Sequence, residues 1–113
     1  MAEVGQVIAC HTVEAWTEQL AKLQQPNKLV VVDFTASWCG PCRFIAPIFE
    51  EIARTFTHIT FLKVDVDELK SVAEAWGVQS MPTFMFLKGD KIVDKVVGAK
   101  KEELLMAIGK HTS

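Results

Sequence analysis

The chain has 113 residues, half of them hydrophobic, and a formal net charge of −2 from 12 basic and 14 acidic side chains. This length and composition predict one domain with its own hydrophobic core over residues 1–113, and they argue against a disordered chain. Lys and Arg are scattered, which argues against binding to nucleic acid, and no apolar run is long enough to span a bilayer. Residues 1–10 lack an export signal, so we expect a cytoplasmic protein that binds no membrane.

The first half of the chain predicts two strands and two helices. A weak strand over residues 6–9 precedes a helix over residues 12–23, in which apolar side chains recur every three or four positions after Thr12 as the N-cap. Residues 29–34 form a nearly continuous apolar run, which is typical of a strand buried on both faces in a parallel sheet. A long amphipathic helix follows, and Pro47 inside it predicts a kink.

The second half predicts three more strands and two helices. In chain order these are a strand over residues 59–66, a short helix that Asp67 caps and that continues to Trp76, a hairpin of residues 83–87 and 91–97, and a helix over residues 100–110. Gly77 is the expected left-handed residue that ends the short helix. The order βαβαβαββα predicts an α/β fold with a central five-stranded mixed sheet and four flanking helices.

The motif Cys39-Gly40-Pro41-Cys42 lies where the buried strand gives way to the long helix. Unpaired N–H groups and the positive end of the helix dipole stabilise a thiolate at a helix N-terminus. We therefore predict that Cys39 is a nucleophile, and that Cys42, one turn later and more buried, resolves a mixed disulfide by attacking it. Gly40 lets another chain approach closely, and Pro41 fixes the first helical turn.

A zinc site is the alternative interpretation of this motif, because C-x-x-C is also half of a common zinc-binding pattern. Zinc needs two further ligands, for which the candidates are Cys10, His11, His58 and His111. No second pair has the usual ligand spacing, so we favour redox chemistry and predict no metal. We assign the histidines no other role.

Asp33 is an acid within an otherwise apolar run, and Lys63 is a similar exception on the neighbouring predicted strand. Burial of a lone carboxylate is costly and raises its pKa. One interpretation makes Asp33 a general base that removes the proton of Cys42, directly or through a water, with Lys63 tuning its charge. The other is a solvated carboxylate at a strand end and a lysine that reaches solvent, and the residues alone leave both open.

Met81-Pro82-Thr83 opens a predicted strand. A proline there cannot donate to the sheet, so it belongs at a strand start, an edge or a cis turn. A cis bond would present the Met81 backbone beside Cys39, where an extended substrate could add as a short strand. An ordinary loop proline is the alternative.

Cys10 ends an apolar run at the first predicted strand. We favour a small buried hydrophobic side chain at this position. The alternative is a regulatory thiol that reacts with glutathione or forms an intermolecular disulfide, which needs exposure.

Taken together, the motifs resemble those of the thioredoxin family. They occur in order over nearly the whole chain, as Val32-Asp33-Phe34, Trp38-Cys39-Gly40-Pro41-Cys42, Lys63-Val64-Asp65, Met81-Pro82-Thr83 and Val97-Gly98-Ala99. The resemblance implies a thioredoxin fold over residues 1–113 and a general protein disulfide reductase that donates electrons to target proteins.

The resemblance also implies residue roles. Cys39 is then the attacking thiol and Cys42 the resolving thiol of a redox-active disulfide, with Asp33 as the buried acid behind them and Lys63 beside it. Pro82 is then a cis-proline that faces the disulfide. The implied docking rim for target proteins consists of Trp38, Gly40, Pro41, Met81, Pro82, Gly98 and Ala99.

Within the family, residues 5–12, 34–37, 64–69 and 81–86 are similar to the h-type thioredoxins of plants. Those are cytosolic proteins that a flavoprotein, NADPH-dependent thioredoxin reductase, reduces. The similarity implies that this chain itself binds no cofactor. We separately expect a monomer. Cys10 lies outside the general family pattern, and a Cys10-linked dimer is the alternative.

Two other functions remain as alternatives at this point. A disulfide oxidant or isomerase would use the same chemistry, but Gly-Pro between the cysteines and the lack of an export signal count against it. A thioredoxin-like binding or holdase module would not need its cysteines, so replacement of Cys39 by Ser would leave its function intact.

Overall fold

Five strands and four helices make up the computed structural model, which describes residues 5–23 and 25–112. In chain order the elements are β1 (Val7–Cys10), α1 (Val13–Lys22), β2 (Leu29–Thr35), α2 (Gly40–Thr55), β3 (Thr60–Asp65), α3 (Lys70–Ala75), β4 (Thr83–Lys88), β5 (Lys91–Val97) and α4 (Lys101–His111). The strands form one sheet in the order β1-β3-β2-β4-β5. β1, β3 and β2 are parallel, whereas β4 is antiparallel to β2 and β5. The predicted mixed sheet is confirmed.

The sheet separates two hydrophobic clusters, one on each face. Side chains of α2 and α4 pack on one face, where Phe49 lies 5.4 Å from Phe61 and 5.3 Å from Phe84 between ring centroids. Side chains of α1 and α3 pack on the other face, where Trp16 lies 5.5 Å from the Trp76 ring. Every residue of β2 from 29 to 34 is buried. The prediction of a strand covered on both faces is therefore confirmed, and this strand leads directly to the cysteine motif.

The predicted start of the first helix is also confirmed. Thr12 is the N-cap of α1, and its Oγ1 accepts a hydrogen bond of 3.0 Å from the N–H of Ala15. Pro47 lies inside α2, as the sequence indicates. Within residues 5–23 and 25–112, no helix is long and apolar enough to cross a membrane.

The predicted cap of the third helix is wrong. α3 begins at Lys70, and its N-cap residue Leu69 makes no side-chain capping bond. The free N–H groups of Asp67 and Glu68 instead donate to Oδ1 of Asp65, at 2.8 and 3.3 Å. Because Asp65 at the end of β3 closes this turn, the side chain of Asp67 is available for a different partner.

The predicted ends of the short helix and the hairpin agree with the structure. Gly77 follows α3 with a φ of +68°, and its N–H donates to the carbonyl of Glu74 at 3.1 Å. Gly89, with a φ of +63°, lies in the turn between β4 and β5. Both glycines adopt a backbone conformation that other residues rarely adopt.

Candidate functional site

The two cysteines of the motif lie at the junction of β2 and α2 and form a disulfide, with their Cα atoms 5.2 Å apart. Cys39 is the N-cap residue of α2, and its Sγ accepts a hydrogen bond of 3.1 Å from the N–H of Cys42. The positive end of the helix therefore points at Sγ of Cys39. This placement favours negative charge on that sulfur when the disulfide is reduced.

The prediction that Cys42 is the more buried cysteine is supported only weakly. Cys39 is 5% exposed and Cys42 is 3% exposed. The two sulfurs differ in their surroundings instead, because Sγ of Cys39 lies 3.5 Å from the carbonyl oxygen of Met81. Cys42 lines a pocket, open to the surface, that Cys39 does not line. The sulfur of Cys39 thus lies beside the Met81 carbonyl, whereas Cys42 lies beside the pocket that Asp33 also lines.

Asp33 lies in the middle of β2, paired with Lys63 on β3 and with Phe84 on β4. It is 2% exposed, and its Oδ1 has no hydrogen-bond partner among the described residues. Burial raises the pKa of Asp33 to about 7, although the charge of Lys63 acts in the opposite direction. The alternative of a solvated carboxylate at a strand end is therefore wrong.

A cavity of about 290 Å³ connects this acid with the motif. Its lining includes Asp33, Cys42 and Lys63, together with the polar side chains of His11 and Glu68. Water in the liquid occupies about 30 Å³ per molecule, so the cavity has room for several waters. Water in this pocket would therefore have access to both Cys42 and Asp33.

Three separate segments form the rim around Cys39. The Met81–Pro82 peptide bond is cis, and the carbonyl of Met81 faces Sγ of Cys39. The N–H of Gly98 donates to the carbonyl of Pro82 at 2.8 Å, which ties the end of β5 to this turn. Trp38 is 64% exposed and directly precedes Cys39. Of the other predicted rim residues, Gly40 and Pro41 are exposed, and Ala99 is half-buried.

Several polar pairs near and beyond the site were missed by sequence reasoning. The indole of Trp38 donates to Oδ2 of Asp67 at 2.8 Å. Asp67 therefore binds this indole instead of the helix that it was predicted to cap. His11 pairs with Glu68 at 3.0 Å, and His111 pairs with Asp94 at 3.0 Å. The partners of each pair are 17 to 57 residues apart in the chain, so no local pattern signals them.

Cys10 is 2% exposed and takes no part in the disulfide. It packs in the cluster that contains Trp16 and Val64, and burial raises the pKa of its thiol. This environment fits a small hydrophobic side chain and disfavours the thiolate that regulatory chemistry needs.

The described part of the chain contains no group of three or more His, Cys, Asp or Glu side chains placed to hold a metal ion.

Comparison with known proteins identifies relatives over almost the entire chain. The family model described as Thioredoxin matches residues 7–110. Thioredoxin H-type of Ricinus communis is 69% identical over 110 residues, which cover 97% of this chain and 93% of that protein. The crystal structure of thioredoxin NaTrxh from Nicotiana alata matches with a TM-score of 0.93 and 47% identity, and the match covers 100% of this chain and 98% of that chain.

A further match comes from the crystal structure of a complex of ferredoxin:thioredoxin reductase and thioredoxin f2. A chain of that complex matches with a TM-score of 0.88 and 37% identity, and the match covers 99% of this chain and 100% of that chain.

Proposed function

Since the chain belongs to the thioredoxin family and is a protein-disulfide oxidoreductase, we propose that Cys39 is its attacking thiol and Cys42 its resolving thiol. The observation that carries this assignment is the position of Cys39 as the N-cap of α2, where the N–H of Cys42 donates to its sulfur. A thiolate at Cys39 is stabilised there, and that thiolate is the reactive form.

The reaction transfers two electrons to a target protein. The Cys39 thiolate attacks one sulfur of the target disulfide, whose S–S bond breaks, and the other target sulfur leaves as a thiolate. Cys42 loses its proton and attacks Sγ of Cys39, so that the mixed disulfide breaks and the second target sulfur leaves. The target ends with two thiols after taking up two protons, and the chain ends with the Cys39–Cys42 disulfide.

Asp33 is the proposed acceptor of the Cys42 proton. Its pKa of about 7 lets it exist in both protonation states near neutral pH, as a general base requires. Asp33 and Cys42 line the same cavity, and Oδ1 of Asp33 has no partner among the described residues, so it is free to accept a hydrogen bond. Lys63, directly opposite on β3, is proposed to limit the rise in the pKa.

The proposed docking surface surrounds the sulfur of Cys39. An extended segment of the target would lie along the backbone of Met81 and Pro82, as an added short strand does. Around it lie Trp38, Gly40, Pro41, Gly98 and Ala99. The two glycines support this role because they leave the backbone open to a close approach.

We further propose that a thioredoxin reductase restores the dithiol after each turnover. The similarity to h-type relatives favours an NADPH-dependent flavoprotein as that reductase. A related chain comes from a complex of ferredoxin:thioredoxin reductase and thioredoxin f2, which supports a reductase partner in general. The chain would then act as a single domain over residues 1–113, as a cytoplasmic monomer, with its redox-active disulfide in place of a bound cofactor.

Trapping of target proteins tests this function. Cys42→Ser keeps the attacking thiol and removes the resolving thiol, so we expect it to retain target proteins as mixed disulfides that a reductant releases. Cys39→Ser is the matched control and should retain none. If Cys39→Ser supports function as well as the unchanged chain does, the protein is a binding or holdase module instead.

Titration of the Cys39–Cys42 couple against a defined thiol redox buffer distinguishes the direction of electron flow. The fluorescence of Trp38 next to the disulfide reports the state of the couple. We expect a midpoint more reducing than the cytosolic glutathione pool. A midpoint well above that pool would favour a disulfide oxidant or isomerase.

A further inference from the structure

Trp38 is a large exposed side chain whose orientation is fixed. The residue is 64% exposed and directly precedes Cys39, yet its Nε1–H donates a hydrogen bond of 2.8 Å to Oδ2 of Asp67. A hydrogen bond to a charged acceptor is shorter and stronger than a neutral one. The indole is therefore ordered before any partner arrives.

Asp67 is itself held in place by the sheet. Its N–H donates to Oδ1 of Asp65 at 2.8 Å, and the N–H of Glu68 donates to the same oxygen at 3.3 Å. Asp65 is the last residue of β3. Hydrogen bonds therefore link Asp65, at the end of β3, to Asp67, and Asp67 to the indole of Trp38.

The backbone on the other side of Trp38 is tied to the helix. Nη1 of Arg43 donates a hydrogen bond of 2.9 Å to the carbonyl oxygen of Ser37. Arg43 belongs to the first turn of α2, directly after Cys42. Two contacts thus hold the short loop that carries Trp38. The indole is bonded to Asp67 after β3, and the carbonyl of Ser37 is bonded to Arg43 of α2.

We propose that Asp67 is a positioning residue that holds the Trp38 indole beside Cys39 as a preformed surface for target proteins. The proposal rests on the docking role proposed above for Trp38. A side chain that is ordered before binding does not lose its rotamer freedom on binding, which improves affinity without a new contact. The effect is expected for macromolecular targets that cover the indole and not for small disulfides that reach only the sulfur.

Two substitutions at one position separate orientation from charge. Asp67→Ala removes the acceptor, and we expect it to raise KM for a protein disulfide such as that of insulin by about three- to tenfold, with kcat little changed. Asp67→Asn removes the charge but keeps an amide oxygen that can accept from the indole, so we expect most of the affinity to remain. Turnover of a small aromatic disulfide should stay the same in both variants. Glu74→Ala, at an exposed acid on α3, is the control for loss of surface charge.

The mobility of the indole provides a readout independent of activity. In ¹⁵N-labelled protein, the Nε1–H resonance of Trp38 should show the heteronuclear NOE of an ordered group in the unchanged chain and in Asp67→Asn. Asp67→Ala should reduce that NOE. The signals of Trp16 and Trp76, which pack in the core cluster, should stay the same and confirm that each variant is folded.

Specific outcomes overturn the inference. If Asp67→Ala frees the indole but leaves KM for the protein disulfide unchanged, indole positioning does not serve docking. If Asp67→Asn and Asp67→Ala raise KM equally, the charge of Asp67 acts rather than its position. Trp38→Ala identifies a failure of the underlying proposal, because an unchanged KM in that variant would mean that Trp38 does not dock targets at all.

Discussion

Asp33 on β2 lies directly opposite Lys63 on β3, so the buried acid has a basic side chain as its neighbour in register. The charge of Lys63 lowers the pKa of Asp33, but burial raises it more and the pKa reaches about 7. The site therefore holds a buried acid whose pKa lies near neutral pH, although burial of a carboxylate is costly.

Asp33→Asn should stabilise the protein at alkaline pH. Because the pKa of Asp33 is about 7 in the folded chain against an ordinary 3.8, its contribution to stability is fully present below pH 3.8 and is lost as pH rises through about 7. The asparagine variant has no such loss, and the gain at pH 8 is at most about 4 kcal/mol.

Urea unfolding of both proteins at pH 5 and pH 8 measures this difference. The free energy of unfolding of the unchanged chain should fall further between the two pH values than that of the variant. Equal changes in both proteins would show that Asp33 does not titrate in this range.

The same substitution should slow the resolving step. A positioned general base contributes about 100-fold or more to a proton-transfer step, so Asp33→Asn should slow attack by Cys42 on a mixed disulfide at Cys39 by about that factor at pH 7. Stopped-flow measurement of thiol release from a preformed mixed disulfide, from pH 5 to pH 9, follows this step. The unchanged chain should show an inflection near pH 7 that the variant lacks, and identical profiles would exclude Asp33 as the base.

Lys63→Met tests the electrostatic part of this assignment. Since the charge of Lys63 lowers the pKa of Asp33, its removal should shift the inflection of the resolving step to a higher pH. Methionine has a similar length and keeps the aliphatic packing of the lysine stem. A shift to lower pH, or none, would show that Lys63 does not influence Asp33.

Cys10 should react slowly in the folded protein. Its side chain is 2% exposed and burial raises its thiol pKa, so the reactive thiolate is scarce and shielded. With the Cys39–Cys42 disulfide formed, iodoacetamide should label Cys10 at least about 100-fold more slowly in buffer than in denaturant, with labelling governed by opening of the structure. Rapid labelling, or a disulfide-linked dimer under mild oxidation, would instead support the regulatory interpretation.

Asp94→Asn should destabilise the contact between β5 and α4. Burial would raise the pKa of Asp94, but hydrogen bonds from the Lys95 N–H and from His111 outweigh it and the pKa is lowered. The stabilising contribution of Asp94 is therefore present above pH 3.8 and is lost as pH falls through its lower folded value. Because the pair is partly exposed, the cost at pH 7 is about 1 kcal/mol or less. Thermal unfolding from pH 7 down to pH 2 tests this, and a loss that stays constant over that range would exclude the ionised carboxylate of Asp94 as its cause.

The sequence by itself determined the secondary structure and the position of the chemistry. Apolar periodicity identified the helices that became α1, α2 and α4, and the run at residues 29–34 indicated a strand with both faces covered. Turn residues placed the hairpin and the end of the short third helix, although its start was predicted wrongly. These features depend on side chains close together in the chain, as does the location of Cys39 at the start of a helix. The family resemblance then implied the cis bond before Pro82, which the residues alone had left open beside an ordinary loop proline.

Only the tertiary structure decided the partners of the polar side chains. Asp67 has the sequence position of a helix cap, yet its carboxylate binds the indole of Trp38, because Asp65 already occupies the free N–H groups of the turn. The sequence left open whether Asp33 is a solvated carboxylate at a strand end. The register of β2 with β3 and β4 places it inside the sheet, between Lys63 and Phe84. Such contacts join segments that are distant in the chain, and their geometry depends on strand register and helix packing, which local sequence patterns do not encode.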